Sequence, residues 1–324
     1  MTMLMLSLED VPLAISPDDR QRVIDNLQEF KDEVWHLKSE NTKRAYQSDF
    51  KQYLSFCMDN GMPALASDWR ITRESCRSYL KYMMASKLKH HTIRRKIASI
   101  RYFIGVSELA DPWKHSKLFT EFTNNTLKAK PSRQGQAKPL RVNLIDKFTS
   151  QLDLDNLLEL RDAVIFNVAI DTIFRASNLL AIDISHIKFS QNKVFAPRSK
   201  TDRTGKGHYG YISQTSIELI KRWMEAGNIS TGPLFRTLSP KHTVRDEGMQ
   251  YHALISRYRT IARRIMIEDR FSCHSTRVGG VVTMFENGVS LDEIQKAGGW
   301  SSQAMPLHYA EEYDVAKTGM ARLR

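Results

Sequence analysis

The chain has 324 residues, 41% hydrophobic and 26% charged, which excludes wholesale disorder, and at about 150 residues per domain it predicts two domains. Lys and Arg number 48 against 36 Asp and Glu, so the formal net charge of +12 points to a polyanion, nucleic acid ahead of a membrane surface. No apolar run nears the ~18 residues of a membrane span, MTMLMLSLED lacks a signal peptide's parts, and Cys57, Cys76 and Cys273 form no CxxC pair. The expectation is a basic cytoplasmic protein with neither disulfides nor zinc.

Residues 1–40 carry four basic and nine acidic side chains, a net of −5, so the first segment is not a grip for a polyanion. The first helix begins at Ser16-Pro17-Asp18-Asp19: a capping Ser, Pro at the first helical position, and acids at the positive end of the dipole. A second begins near Asn41 or Thr42, with Tyr46, Phe50, Tyr53, Leu54 and Cys57 on one face, and stops at Gly61. A third starts at Thr72 with an apolar stripe of Tyr79, Leu80, Met83 and Met84. The fourth runs from about Thr92, with Ile93, Ile97, Ile100 and Ile104 inward and Arg94, Arg95 and Arg101 outward. A fifth covers Leu118 to Leu127. These stripes are core, not cofactor boxes.

Between Ser75 and Ser107 stand Arg77, Lys81, Lys87, Lys89, Arg94, Arg95, Lys96 and Arg101, with no acid among them. Ordinary surfaces mix signs, so this run predicts a phosphate-contacting face. KAKPSRQGQAKP then suits an extended, positively charged linker, and the domain boundary belongs in it. Helices follow at Val142–Ser150 and Leu157–Phe174. Short strands are expected at Ile187–Phe189, Val194–Ala196 and Tyr209–Ile212, with TDRTGKG turning between the last two. Helices resume from Gln214.

Nucleotide motifs are missing: TGKG lacks the P-loop spacing and no GxGxxG occurs. Glu268-Asp269 and Glu311-Glu312-Asp314 are sequence neighbours that point different ways on a helix, so they read as solvated surface rather than a two-metal site. Cys273 beside His274 reads as a small buried thiol. The segment CHSTRVGGVVTMFENGVSLDEIQKAGGWSSQAMPLHYAEEY is more specific. His274 and Arg277 are three apart and share a helix face, so they can grip one anion together. Asn287-Gly288 ends that helix, Ser290 with Glu293 caps the next, and Gly298-Gly299 ends it and delivers Trp300, with Tyr309 nine residues later.

This arrangement resembles the tyrosine site-specific recombinase (phage integrase) family, most closely its Cre-type members. The family's His-x-x-Arg, then His or Trp on a Gly-Gly turn, then nucleophilic Tyr, fall on His274, Arg277, Trp300 and Tyr309. Its first Arg matches Arg175 in DTIFRASNLLAID, and its β-hairpin Lys matches Lys200 in PRSKTD. SENTKRAYQSDFKQYLSFCMDNG and KHHTIRRKIASIRYFIG look like the family's helical core-binding domain. The resemblance covers residues 39–324 and implies a mainly α protein with a small antiparallel β-sheet. It divides the chain into a helical DNA-binding domain over 1–130, a linker over 131–139, and a catalytic domain of the DNA breaking-rejoining fold over 140–324.

Two departures stand out. Asn178 takes a position where the family has Asp or Glu, and an amide cannot offer the charge that orients a cation. Pro306 cannot continue a helix begun earlier, so a short helix should start at Met305–Pro306 and present Tyr309 in its first turn.

The resemblance implies a site-specific recombinase that forms a 3′-phosphotyrosine without metal, nucleotide or other cofactor. Its partners would be double-stranded DNA with an inverted-repeat site and further copies of the chain, in a tetramer that exchanges strands through a Holliday junction. Arg175 and Arg277 would hold the non-bridging oxygens, and His274 would help deprotonate Tyr309. Trp300 would donate its indole N–H or pack the site shut. Lys200 would protonate the leaving 5′ oxygen, and the surrounding cations would activate Tyr309. Lys43, Arg44, Lys87, Lys89, Arg94, Arg95, Lys96 and Arg101 would contact the DNA backbone. After Tyr313, DVAKTGMARLR offers Val315, Ala316, Met320 and Leu323 as an apolar side that could dock in a neighbouring subunit. A type IB topoisomerase-like enzyme and an inactive DNA-binding regulator on the same fold are the alternatives.

Overall fold

The computed structural model describes residues 12–131, 135–197, 206–268 and 270–310. They fall into two units, Met1–Gln134 and Gly135–Arg324. The protein is mostly helical with small sheets. Among the described residues no helix is long and apolar enough to cross a membrane, and no three His, Cys, Asp or Glu side chains cluster as a metal site.

The first unit opens with β1 (Leu13–Ala14) and α1 (Pro17–Glu29), where the Ser16 hydroxyl accepts from the Asp19 N–H. α2 (Glu40–Asp59) is capped by Ser39, and Gly61 follows it with a φ of +61°, the left-handed stop its sequence suggested. β2 (Leu65–Ala66) pairs in parallel with β1. α3 (Trp69–Ala85) begins three residues before Thr72, because Asp68 provides the cap and Thr72 is already in the helix, its hydroxyl accepting from the Ala66 N–H. α4 (His90–Val106), α5 (Pro112–His115) and α6 (Lys117–Lys128) complete the unit. Its core is aromatic: Phe50 stacks on Phe103 at 4.4 Å between ring centroids, and Tyr53 and Tyr79 meet at 5.3 Å.

The acid-free run is not acid-free in space. Asp49 of α2 is buried against α4, where its carboxylate takes Arg95 at 2.6 Å, Lys96 at 3.4 Å and the Ser99 hydroxyl at 3.0 Å. Lys96 is 3% exposed and also donates to Gln52, so it is a buried ion-pair member and not a phosphate contact. Burial without such a partner would be far costlier for an ammonium. Arg95 and Arg101 do face outward in part, but Asp49 and Asp111 hold them. Arg44, Lys87, Lys89 and Arg94 are exposed, and Lys43 pairs with Glu40.

The second unit opens with α7 (Val142–Thr149) and α8 (Leu157–Thr172). α8 is buried on nearly every side, as a helix apolar all round must be, and forms the axis of the larger core. It ends at Thr172, not at Phe174, because Ile173 turns into the left-handed region at φ +45°. α9 (Ala176–Leu180) follows directly. β3 (Ile187–Lys188), β4 (Lys193–Ala196) and β5 (His208–Tyr211) form an antiparallel sheet in that order, with Lys193 opposite Tyr211 and Ala196 opposite His208. After α10 (Gln214–Ala226) comes a hairpin the sequence reading did not anticipate, β6 (Arg236–Leu238) and β7 (Val244–Gly248). Its strands lack the apolar alternation that marks a half-buried strand. α11 (Tyr251–Arg264), α12 (Ser275–Glu286), α13 (Leu291–Ala297) and α14 (Ala304–Ala310) complete the chain as described.

Before α7, an irregular strap over residues 135–141 lies against α12. The Leu140 N–H donates to the Ser275 carbonyl at 2.9 Å, and Leu140 is fully buried. A Cβ on Gly279 would stand 1.9 Å from the Leu140 carbonyl oxygen, so only glycine lets helix and strap approach this closely.

Candidate active site

Four elements of the second unit converge on one small cluster. His274 is the residue before α12 and Arg277 stands in its first turn. Tyr309 lies in α14, which begins at Ala304, with Pro306 in its first turn where a missing N–H costs nothing. Trp300 follows Gly298-Gly299 at the end of α13, and Arg175 caps α9 just past the left-handed Ile173. Ile173, Val278, Val281, Val282, Ile294, Trp300 and Tyr309 pack together as a core of their own beneath the polar groups.

His274 Nε2 lies 2.6 Å from the Tyr309 hydroxyl, with the rings edge to face at 5.4 Å. Arg277 is 1% exposed. Its Nη1 donates to the Ile173 carbonyl and its Nη2 to the Gly298 carbonyl at 2.9 Å. A guanidinium has five N–H donors in a fixed fork, and beyond these two bonds it also reaches the Tyr309 hydroxyl. The Trp300 ring covers the guanidinium at 3.9 Å, and its indole N–H is buried with no partner among the described residues. A Cβ on Gly298 would stand 1.7 Å from the Trp300 ring, so this glycine makes room for the indole. Arg175 is half-buried and makes no ion pair among the described residues.

The electrostatics assign different protonation states. Burial, then the charges of Arg277 and Arg175, push His274 down to about 4, so near neutral pH its imidazole is uncharged and can accept a proton. Burial, then Arg175, lowers Arg277 to about 10, with Tyr309 pulling the other way. Burial raises Tyr309 and outweighs Arg277 and Arg175, which lower it. The phenol thus holds its proton more tightly than a free tyrosine, although both cations pull it down. A base in contact is needed, and His274 is in contact. Cys273 is buried and pushed up to about 11, as its reading as a structural thiol requires.

Arg175, His274, Arg277, Trp300 and Tyr309 thus meet from four elements. Lys200 lies outside the described residues, as do Tyr313, Glu311-Glu312-Asp314 and the tail beyond. Asn178 is buried in α9, three residues after Arg175. Two contributors carried no signal in the sequence. Ile173 supplies a carbonyl, which every residue has. His208 of β5 stands against Gly299 and packs edge to face on Phe174 at 5.0 Å, a contact only the folded sheet creates.

A model of the phage integrase family matches residues 140–315, and one of the phage integrase N-terminal SAM-like domain matches 27–106. The chain is 22% identical over 294 residues to an integrase/recombinase XerD homolog of Selenomonas ruminantium, covering 86% of this chain and 84% of that one. It is 23% identical over 312 residues to the Cre recombinase of Escherichia phage P1, covering 88% of each. Among solved structures it superposes on the Tn1549 transposon integrase in complex with a circular intermediate DNA, with TM-score 0.63, 12% identity, and coverage of 93% and 99%. It also superposes on the XerH site-specific recombinase bound to a palindromic difH substrate, with TM-score 0.60, 15% identity, and coverage of 94% and 88%.

Proposed function

The chain belongs to the phage integrase family, and we propose that it is a site-specific recombinase that cleaves and rejoins duplex DNA. The observation that carries this reading is the 2.6 Å contact between His274 Nε2 and the Tyr309 hydroxyl, beside two arginines. That the relatives of the same fold are DNA-bound integrases and recombinases supports it.

The reaction follows from the geometry. A DNA phosphodiester is drawn to the positive field of Arg175 and Arg277, whose free N–H groups meet its non-bridging oxygens. The neutral His274 takes the Tyr309 proton as the phenol oxygen attacks phosphorus. The bond to the 5′ oxygen breaks, that oxygen takes a proton from Lys200, and a 3′-phosphotyrosine remains. In the second half the 5′ hydroxyl of another strand attacks the same phosphorus and returns its proton to Lys200, the bond to the Tyr309 oxygen breaks, and Tyr309 recovers its proton from His274. The arginine charges stabilise the pentacovalent transition state, in which negative charge accumulates. The buried Trp300 indole N–H is a further donor to the same oxygens.

In this reading residues 1–130 grip the duplex, 131–139 join the two parts, and 140–324 cut. The exposed Arg44, Lys87, Lys89 and Arg94 meet phosphates. Four copies work on paired inverted-repeat sites through a Holliday junction, each linked to its neighbour by the residues after Tyr313.

A suicide substrate, nicked so that the cleaved end is lost, tests the reading. The wild-type chain should form a covalent adduct on its site, and Tyr309→Phe should bind equally well and form none. Tyr313→Phe should retain the adduct. An adduct on Tyr309→Phe, or a wild-type chain that only shifts the DNA on a gel, would overturn it. A plasmid with two sites then separates recombination from relaxation alone.

A further inference from the structure

Tyr309 is held at both ends. Its hydroxyl meets His274, and its main-chain carbonyl accepts a hydrogen bond of 3.0 Å from the side-chain amide of Gln136. We infer that Gln136 is a positioning residue for the nucleophile: from the strap over 135–141, its amide fixes the main chain of α14 at Tyr309 and so sets the Tyr309 hydroxyl against His274. The inference deepens the proposed function and rests on it for its kinetic arm.

Three observations carry it. Isolated helices are marginal in water, so the register of α14 is held by the contacts it makes outside itself. The Tyr309 carbonyl takes the Gln136 amide as a donor, a tie from outside the helix made at the nucleophile itself. The other side of α14 is tied through Gln303, whose carbonyl accepts from the Leu307 N–H and whose amide donates to Asp292 of α13 at 2.6 Å.

The strap that carries Gln136 is itself fixed to the helix bearing His274 and Arg277. Leu140 is bonded to Ser275 and seated in the space Gly279 leaves, and Arg141 pairs with Glu286 of α12 at 3.0 Å. Strap, base-bearing helix and nucleophile-bearing helix therefore form a closed triangle. Gln136 to Tyr309, Tyr309 to His274 and Leu140 to Ser275 are its three joints. Residue 136 touches no reacting atom; it acts through the main chain of the residue that does.

The test compares wild type with Gln136→Glu, which keeps the shape but replaces the donor by a carboxylate that repels the carbonyl, and with Gln136→Met, which removes it. Tyrosine labelled with 13C at Cζ, assigned by loss of one signal in Tyr309→Phe, reports the phenol in the free protein without any DNA. Both variants should shift or broaden that signal while the melting temperature stays within a few degrees. On the suicide substrate the single-turnover rate should fall by about 3- to 10-fold, the equivalent of one neutral hydrogen bond, with DNA affinity unchanged. An unmoved Tyr309 signal would overturn the inference whether or not the wild-type chain cleaves DNA. A moved signal with an unchanged single-turnover rate would overturn it too. A wild-type chain that forms no adduct would instead remove the proposed function, leaving the signal to decide whether Gln136 positions Tyr309.

Discussion

His274 Nε2 and the Tyr309 hydroxyl are thirty-five residues apart in the chain and 2.6 Å apart in space. The imidazole is held neutral by burial and by two arginines, so the contact is a donated phenol proton and not an ion pair. The charge state of one ring therefore governs both the reaction and part of the stability of the unit.

His274 should make stability depend on pH. Its folded value of about 4 lies below the 6.5 of the exposed side chain, so below 6.5 the unfolded chain binds a proton that the folded one refuses. Stability from this group is complete above pH 6.5 and is lost as pH falls toward 4, by on the order of 2 kcal/mol. Urea unfolding at pH 7.5, 6.0 and 4.5 measures it. The His274→Gln variant should lose less stability over that range than wild type, and parallel curves would show that His274 is not held neutral.

Arg277 and Arg175 should respond differently to lysine. Arg277→Lys cannot bond the Ile173 and Gly298 carbonyls and still face an anion, and it loses the fit beneath Trp300. It should cost about 1–3 kcal/mol of stability and slow adduct formation by ~10²-fold or more. Arg175→Lys, half-buried and without an ion pair among the described residues, should slow the reaction with little change in urea midpoint. Equal midpoints for the two variants would contradict this division.

Lys96 and its neighbours should separate stability from binding. Lys96→Met leaves Asp49 to Arg95 and Ser99 alone and should cost on the order of 2 kcal/mol, with no change in the salt dependence of DNA affinity. Lys87→Ala, Lys89→Ala and Arg94→Ala should leave the melting temperature alone. Each should lower the slope of log affinity against log salt by about one where it removes a phosphate contact. Fluorescence anisotropy across a salt series gives the slopes, and an unaltered slope in the triple variant would move the DNA face elsewhere.

Gly279 and Gly298 should fail in distinct ways. Gly279→Ala drives a methyl into the Leu140 main chain and should destabilise the unit by about 2–4 kcal/mol. The atoms nearest a methyl at Gly298 are those of the Trp300 ring, a side chain that can turn aside, so Gly298→Ala should spare more of the stability while lifting the indole off Arg277. Adduct formation should then drop by roughly tenfold or more, and tryptophan fluorescence should move to the red as Trp300 meets water. A Gly298→Ala protein with wild-type emission and rate would disprove it.

The helical class was legible because its signals are local. Ser16 with Pro17, and Ser290 with Glu293, declare helix starts within four residues, and the caps form as read. The three-stranded sheet was legible from short apolar stretches between polar turns. What escaped depends on distance along the chain. Lys96 looked like a free charge because Asp49, which neutralises it, stands forty-seven positions earlier and was read as part of another helix. The β6–β7 hairpin escaped because Val244–Gly248 is mostly charged and exposed. In the site, Arg175, His274, Arg277, Trp300 and Tyr309 could be named because their motifs resemble those of a known family. Gln136 and Ile173 could not, since one acts on a carbonyl and the other through its own.

Ile173 leaves α8 in a left-handed conformation that a β-branched residue adopts only when its surroundings compel it, and its carbonyl receives Arg277. The arginine is thereby moored to the tip of a helix that is buried on nearly every side. Such a helix is among the last elements of a unit to open. Warming or mild denaturant will find no early, separate softening of this corner to exploit. Inactivation and collapse of the unit become one event, and a preparation that has kept its fold has kept its arginine aimed.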